Sequence, residues 1–336
     1  MKLNEFDLIK NIQTHLVSTN HNLLQGIGDD CAVINKDEQT AFVISTDALI
    51  EDVHFDLKNY SYVELGKKAM AVNLSDIAAM GAKPLYAFIT LGIPSKCVAD
   101  NISDLYIGLE QVAQEFSVAI AGGDLSRSSH HLFLSLTVVG EVAKNGCKLR
   151  SGAQAGDGIY VSGLLGSAAI GLSGLNKKRK LETHYLNAIK NPRPKIPLAN
   201  ILSECPYVHS LIDISDGLVQ DLGHVMQASH RIAKIELDKI PCEPDFYDTC
   251  KKFRLNGHET LLTGGEDYQL LFTMNDDELG DLLKKLEMKP NIKITRIGSV
   301  LQDVSNKDQN TQCVLILDEQ GKEIKLGKTG FEHFSS

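Results

Sequence analysis

The chain has 336 residues, of which 43% are hydrophobic and 23% charged, and its formal net charge is −9. That balance supports a packed core, excludes a disordered chain, and fits about two domains at roughly 100–200 residues each. Net acidity disfavours a general nucleic-acid binder, which needs a basic face toward phosphates, but leaves room for anionic small molecules carried by cations.

Leu3, Phe6, Ile9, Ile12 and Leu16 recur at helical spacing and predict an opening helix. The apolar, β-branched run Ala41-Phe-Val-Ile-Ser-Thr46 predicts a buried strand ending at Asp47. Glu64 to Met80 predicts a helix stopped by Gly81, with Pro84 beyond it. Leu85 to Ile93 predicts a strand, and Ile102, Leu105, Leu109, Val112, Ala113 and Phe116 predict another helix. Val118 to Ala121 predicts a short strand running into a glycine turn at Gly122-Gly123-Asp124. Leu132 to Val138 alternates and predicts a two-faced strand.

The polar, glycine-rich stretch Lys144 to Gly152 then breaks the pattern. It places a domain boundary near 147, dividing residues 1–147 from 148–336. Beyond it, Ile159 to Gly163 opens a strand–turn–helix series, Leu211 to Ile214 predicts a strand, and Asp216 to Ser229 a helix. A strand over Tyr268–Met274, a helix over Asp276–Glu287 and a strand over Ile292–Val300 follow. Strands and helices alternate in both parts, so the expectation is a mixed α/β, two-domain chain. The basic run Lys177-Lys-Arg-Lys180 reads as a solvated loop.

No run of about 18 uncharged apolar residues predicts a membrane span, and the acidic start predicts no secretory signal. Seven cysteines without a C-x-x-C pair read as reduced thiols of a cytoplasmic protein. The P-loop, the dinucleotide glycine fingerprint, the nucleophile elbow and the zinc helix motif are all absent.

What carries chemistry is a set of acids embedded in apolar or glycine-rich sequence: Asp30, Asp47, Asp76, Asp124, Asp213 and Asp216. An ionised carboxylate in such surroundings is costly unless it is paired or binds a cation. Asp216 could alternatively cap its helix. Ser45, Thr46 and Asn73 add neutral oxygens beside the acids. Hard oxygen donors without a Cys or His cluster suit Mg²⁺ shared with substrate phosphates, and glycines at Gly28 and Gly122-Gly123 would let backbone N–H groups approach those phosphates. The residues point to phosphoryl transfer resting on positioning and charge neutralisation.

Taken together, Gly26-Ile-Gly-Asp-Asp-Cys-Ala, Ser45-Thr-Asp47, Val53-His-Phe55, Ala71-Val-Asn-Leu-Ser-Asp-Ile-Ala-Ala-Met-Gly-Ala82, Gly122-Gly-Asp124, Ile214-Ser-Asp-Gly-Leu218 and Gly264-Gly-Glu-Asp-Tyr268 resemble the thiamine-monophosphate kinase family. That family lies within the aminoimidazole-ribonucleotide-synthetase-like superfamily. The motifs run in order from Gly26 to Phe331. The resemblance implies transfer of a phosphoryl group from ATP to thiamine monophosphate. It also implies a homodimer whose N-terminal domains pair strands across the two-fold into a barrel. The net acidity and the lack of a membrane span lead us to expect no nucleic-acid or membrane partner.

Carried over by motif, Asp30, Ser45, Thr46, Asp47, Asp76, Asp124, Asp213 and Asp216 would hold several Mg²⁺ ions. Tyr106, Gly123, Arg150 and Ser215 would contact ATP; His54, Glu266 and Phe331 would contact the thiamine phosphate. The resemblance also admits a monovalent cation. The chain departs from the family pattern at Asp52, where a small residue is usual, at Leu125, where Thr or Ser is common, and at Phe331, which lacks the polar handle of Tyr or Trp. Alternatives are another ATP-dependent synthetase of the superfamily, of purine-pathway or selenophosphate type, and a non-catalytic nucleotide sensor.

Overall fold

The computed structural model describes residues 5–16, 20–302 and 313–331. Leu3 of the opening helix lies outside them; the rest of that helix is α1 (Glu5–His15). The first sheet contains β1 (Leu23–Gln25), β2 (Ala32–Asn35), β3 (Thr40–Ile50), β4 (Lys83–Pro94), β5 (Ala119–Ser128) and β6 (Phe133–Ala143), ordered β1-β2-β3-β6-β4-β5. Helices α2 (Tyr62–Ala79) and α3 (Ala99–Glu115) pack on it.

The second sheet contains β7 (Gly158–Ser162), β8 (Val208–Asp213), β9 (Arg231–Glu236), β10 (Leu270–Met274), β11 (Ile294–Gln302) and β12 (Val314–Leu317), ordered β12-β9-β11-β7-β10-β8. Its helices are α4 (Ser167–Asn176), α5 (Thr183–Lys190), α6 (Ile196–Ser203), α7 (Leu218–Ser229), α8 (Phe246–Phe253), α9 (Gly257–Thr263) and α10 (Leu279–Leu286). Among the described residues only β4–β5 and β9–β12 pair in parallel. The fold is therefore mixed α/β with mainly antiparallel sheets, because hydrophobic period fixes element type but not pairing direction.

Two sequence expectations change. The strand expected to end at Asp47 runs on to Ile50, with Asp47 paired to Leu136. The expected turn at Gly122-Gly123 is strand: β5 continues through it to Ser128, alongside β4. Neighbouring strands supply the ladder in both places, and that overrides a local glycine or acid.

Helix α2 is the centre of the molecule. It is apolar on nearly every face and buried from Leu65 to Ala79 with few breaks, as a helix enclosed on all sides must be. Ser61 starts it with a capping box: its hydroxyl accepts the Glu64 N–H, and the Glu64 carboxylate accepts the Ser61 N–H. Its crossing with α3 is close because both helices offer glycine. A Cβ on Gly66 would lie 2.1 Å from the Leu105 carbonyl oxygen, and one on Gly108 would lie 2.0 Å from that of Val63. This crossing seats α2 so that its Asp76 end meets the second sheet.

That sheet is buried on both faces. In β10, Leu270, Phe272 and Met274 join the apolar cluster that includes α2 and the first sheet, while Leu271 joins the cluster on the far side. The two-residue period of the strand sends its side chains into two different cores. No helix among the described residues is long and apolar enough to cross a membrane.

Candidate active site

Between the sheets lies a cleft of about 1120 Å³. It exceeds the roughly 300–1,000 Å³ of a typical single-ligand pocket. One wall comes from β3 and α2, the other from the ends of β8 and β10, and α4 forms a flank. Asp30, Ser45, Thr46, Asp47, His54, Asp76, Arg150, Asp213, Ser215, Asp216, Glu266 and Phe331 all line it.

The acids meet because three elements end on one another. Along β3 the face toward α2 reads Ala41, Val43, Ser45, Asp47 and Leu49, so it turns polar where the cleft begins. The Ser45 hydroxyl donates to Asp76 Oδ2 at 2.5 Å, and the Ser75 hydroxyl donates to Asp213 Oδ2 at 2.5 Å. Thr46 faces the other way, and its hydroxyl pairs with that of Thr137 at 3.1 Å. Arg150 crosses from the second half: its Nη2 donates to Asp30 Oδ1 at 2.5 Å, and its backbone N–H to Asp29 Oδ2 at 3.1 Å.

The cluster is short of positive charge. Burial drives the Asp76 carboxyl well above the usual carboxylate range, with the Asp47 and Asp213 charges adding to the rise. Burial, followed by the Asp30 charge, pushes Asp213 up to about 7, against the pull of Ser75 and Arg150. Burial and Asp30 also push Asp29 up to about 6. Arg150 is one cation among these acids, and Asp30 Oδ2 is buried with no hydrogen-bond partner.

An orphaned carboxylate oxygen amid carboxylates held toward protonation fits a divalent-cation site of hard oxygens. Among the described residues no three His, Cys, Asp or Glu side chains enclose a common point. The donor set therefore suits ions whose shells are completed by phosphate oxygens and water, the usual habit of Mg²⁺.

Asp216 is not the cap of its helix. The N-cap of α7 is Gly217, and Asp221 does the capping work from inside the first turn. Its Oδ2 accepts the N–H groups of Ser215, Asp216 and Gly217 at 3.1, 3.1 and 3.0 Å. The Asp216 carboxylate instead receives Gln220 Nε2 at 3.1 Å. Gln220 Nε2 also donates to the Phe331 carbonyl, and the Phe331 N–H donates to the Asp216 carbonyl, so the C-terminal aromatic is strapped to the cleft.

His54 Nδ1 accepts the Ile50 N–H at 3.0 Å, which directs Nε2 outward as its donor. Glu266 has φ +66° and pairs with the buried ammonium of Lys68. Asp52 has φ +66°, which explains why a small residue suits that position and why aspartate, tolerant of the left-handed region, replaces it.

Three expected residues do not reach the cleft within one chain. Tyr106 sits on α3 beside a separate shallow depression, and Gly123 and Asp124 lie on β5. Asp47, Leu136, Ile89 and Gly123 form one register row across β3, β6, β4 and β5. At about 4.8 Å per strand, Gly123 stands roughly 14 Å from Asp47 along that row. A Cβ there would lie 1.8 Å from the Ile89 carbonyl oxygen, so β5 approaches β4 too closely for any other residue.

Lys68, Asp29, Asp221 and Asp267 were missed. Lys68 carries a usable signal, a charge leading into an apolar run. Asp267 accepts the Gly166 and Ala168 N–H groups at 2.6 and 3.3 Å, holding the start of α4 beside the cleft. Asp29 shares the glycine-adjacent setting of Asp30, while nothing local distinguishes Asp221 from a surface acid.

Residues 28–142 match the family model "AIR synthase related protein, N-terminal domain". The chain is 33% identical to the thiamine-monophosphate kinase of Bacillus subtilis (strain 168), over 99% of this chain and 100% of that protein. It is 35% identical to the one from Haemophilus influenzae, over 99% of each. Among solved structures, "AaThiL complexed with AMPPCP and TMP" is similar with a TM-score of 0.83 and 31% identity, over 99% of both chains.

Proposed function

The chain belongs to the thiamine-monophosphate kinase family, and on that premise we propose how its cleft performs the reaction. The enzyme phosphorylates thiamine monophosphate at the expense of ATP, giving thiamine diphosphate and ADP. The observation that carries the mechanistic reading is the convergence of Asp30, Asp47, Asp76, Asp213 and Asp216 on one cleft large enough for two ligands.

The acceptor is a phosphate oxygen of the substrate, already anionic near pH 7 because a phosphomonoester's second pKa is about 6. It attacks the γ-phosphorus in line as the bond to the β-phosphate oxygen breaks, and no protein nucleophile intervenes. The barrier is electrostatic, since two polyanions must be brought together. Asp30, Asp47, Asp76, Asp213 and Asp216 would hold Mg²⁺, with Ser45 and the Thr46 backbone as neutral oxygens, and the ions held there would supply charge neutralisation for the phosphates. Arg150 and Ser215 contact ATP, with Arg150 exchanging Asp30 for a phosphate, while His54, Glu266 and Phe331 contact thiamine monophosphate.

Gly123, Asp124 and Tyr106 join the site from a second copy of the chain. What supports this is β5, a ten-residue edge strand exposed along most of its length. On it Leu125, and beside it Tyr86, Phe88 and Ile107, expose apolar side chains to solvent in the monomer. Such an edge invites pairing. Pairing there would close the first sheets into a barrel across a two-fold. The chain divides into two domains near Cys147 and works in the cytoplasm as a homodimer.

The test follows products by phosphorus NMR with protein, ATP, Mg²⁺ and thiamine monophosphate. Thiamine diphosphate must form with Mg²⁺ and not with excess chelator. Protein incubated with labelled ATP alone must stay unlabelled; a covalent phosphoprotein would overturn the in-line reading.

A further inference from the structure

Lys68 is a charged side chain in the most buried helix of the molecule. Its residue exposure is 2%, and its ammonium makes two contacts: the Glu266 carboxylate and the Tyr60 hydroxyl, the latter at 3.3 Å. Burying a lysine is costly unless its charge is matched, so the helix carries this residue for the sake of what it holds. What it holds comes from 198 positions away, on the loop that enters β10.

Glu266 needs holding. It follows two glycines and adopts φ +66°, a conformation unfavourable for glutamate. Its N–H is fixed to the Ser215 carbonyl at 2.7 Å, but its side chain remains 28% exposed to the cleft. Lys68 takes Oε2 from behind, and among the described residues Oε1 has no hydrogen-bond partner. The ammonium is itself fixed from the side, since Lys68 and Lys190 both lie 5.4 Å from the Tyr60 ring centre. Lys190 is in turn paired with Glu64 at 3.1 Å.

We infer that Lys68 is a positioning residue for substrate recognition: by binding one oxygen of Glu266 it aims the other into the cleft as a fixed hydrogen-bond acceptor. The contact pair is neutral overall. Glu266 therefore offers the substrate an acceptor for an N–H or O–H donor rather than an unbalanced negative charge. The inference rests on the substrate-side role proposed for Glu266 and deepens it.

The experiment measures the KM for thiamine monophosphate, the KM for ATP and kcat for Lys68→Met, Glu266→Gln and the double variant. Lys68→Met is expected to raise the KM for thiamine monophosphate at least tenfold while the KM for ATP stays within twofold. The double variant is expected to be no worse than the poorer single one, since each removes the same contact. Lys68→Gln keeps a donor and lightens the burial cost; it is expected to raise the same KM at least threefold, and it decides the matter if Lys68→Met does not fold.

An unchanged KM for thiamine monophosphate in a folded Lys68 variant, or a parallel rise in both KM values, overturns the inference. So does a double variant whose loss is the product of the single losses. An effect in Glu266→Gln but none at Lys68 overturns this inference alone. An effect at Lys68 but none in Glu266→Gln overturns both it and the role given to Glu266.

Discussion

The acids of the cleft and the acid of the edge strand look alike in sequence and stand in opposite physical circumstances. Asp76 and Asp213 are enclosed, neighbour other carboxylates and are driven toward protonation. Asp124 is exposed on β5, where its Oδ2 accepts the Ser126 hydroxyl at 2.9 Å. Burial makes the first group costly unless a cation balances it. Exposure costs Asp124 nothing, so one chain alone says little of its role. Its place in the proposed reaction depends on what pairs with β5.

The largest effect should come from breaking the enclosed group. Asp47→Asn and Asp213→Asn are each expected to lower kcat by at least about 10³-fold, the scale of losing a group that stabilises transition-state charge. Circular dichroism should remain that of the wild type. Near-normal turnover in both would sink the metal assignment.

The edge strand is tested by complementation. Asp124→Ala should also be nearly inactive. Mixed and reassembled with Asp47→Asn, it should regain roughly a quarter of wild-type sites, because random pairing of a two-fold dimer leaves that share intact. No recovery in a mixture shown to exchange subunits would mean that each site belongs to one chain.

The enclosed acids also predict a pH effect on stability. Asp213 has a carboxyl raised from 3.8 to about 7 in the folded protein. A raised group contributes stability that is fully present below its unfolded pKa and is lost as pH rises through the folded value. In chelator, the Tm of Asp213→Asn relative to wild type should therefore climb between pH 4 and about 7 and then level off. Mg²⁺ should raise the wild-type Tm more at pH 8 than at pH 5, as it binds the ionised form. A flat difference across that range would contradict the burial argument.

The smallest effect should lie far from both groups. Ser61→Ala removes one half of the capping box of α2 and should cost about 1 kcal/mol, read as a lower urea midpoint. Turnover per folded molecule should be unchanged. A large loss of turnover would mean that α2 transmits strain to Asp76.

Much of this was legible in the sequence because it depends on local order. The period of Leu85 to Ile93 gives a strand, and Glu64 to Met80 gives a helix with its stop at Gly81. Acids set in apolar sequence pointed to a cation-dependent phosphoryl transfer, since the cost of burying a carboxylate is the same wherever the chain runs. Ordered motifs from Gly26 to Tyr268 pointed to the family to which the chain belongs.

Other features depend on what lies across space. Thr46 adjoins Asp47 in sequence, yet the pleat sends it to the opposite face, against Thr137. Whether Asp216 capped its helix was open in the sequence; Asp221, further along, takes the backbone N–H groups instead. Gly122-Gly123 looked like a turn until β4 supplied a ladder for it. Lys68 and Glu266 form an ion pair across the length of the chain. Local sequence marked Asp30, Asp47, Asp76 and Asp213 as acids needing a partner or a cation, whereas the burial of Lys68 and Asp221 and the exposure of Asp124 came from packing. Pairing energy depends on distance and burial, and both are set by how distant segments pack.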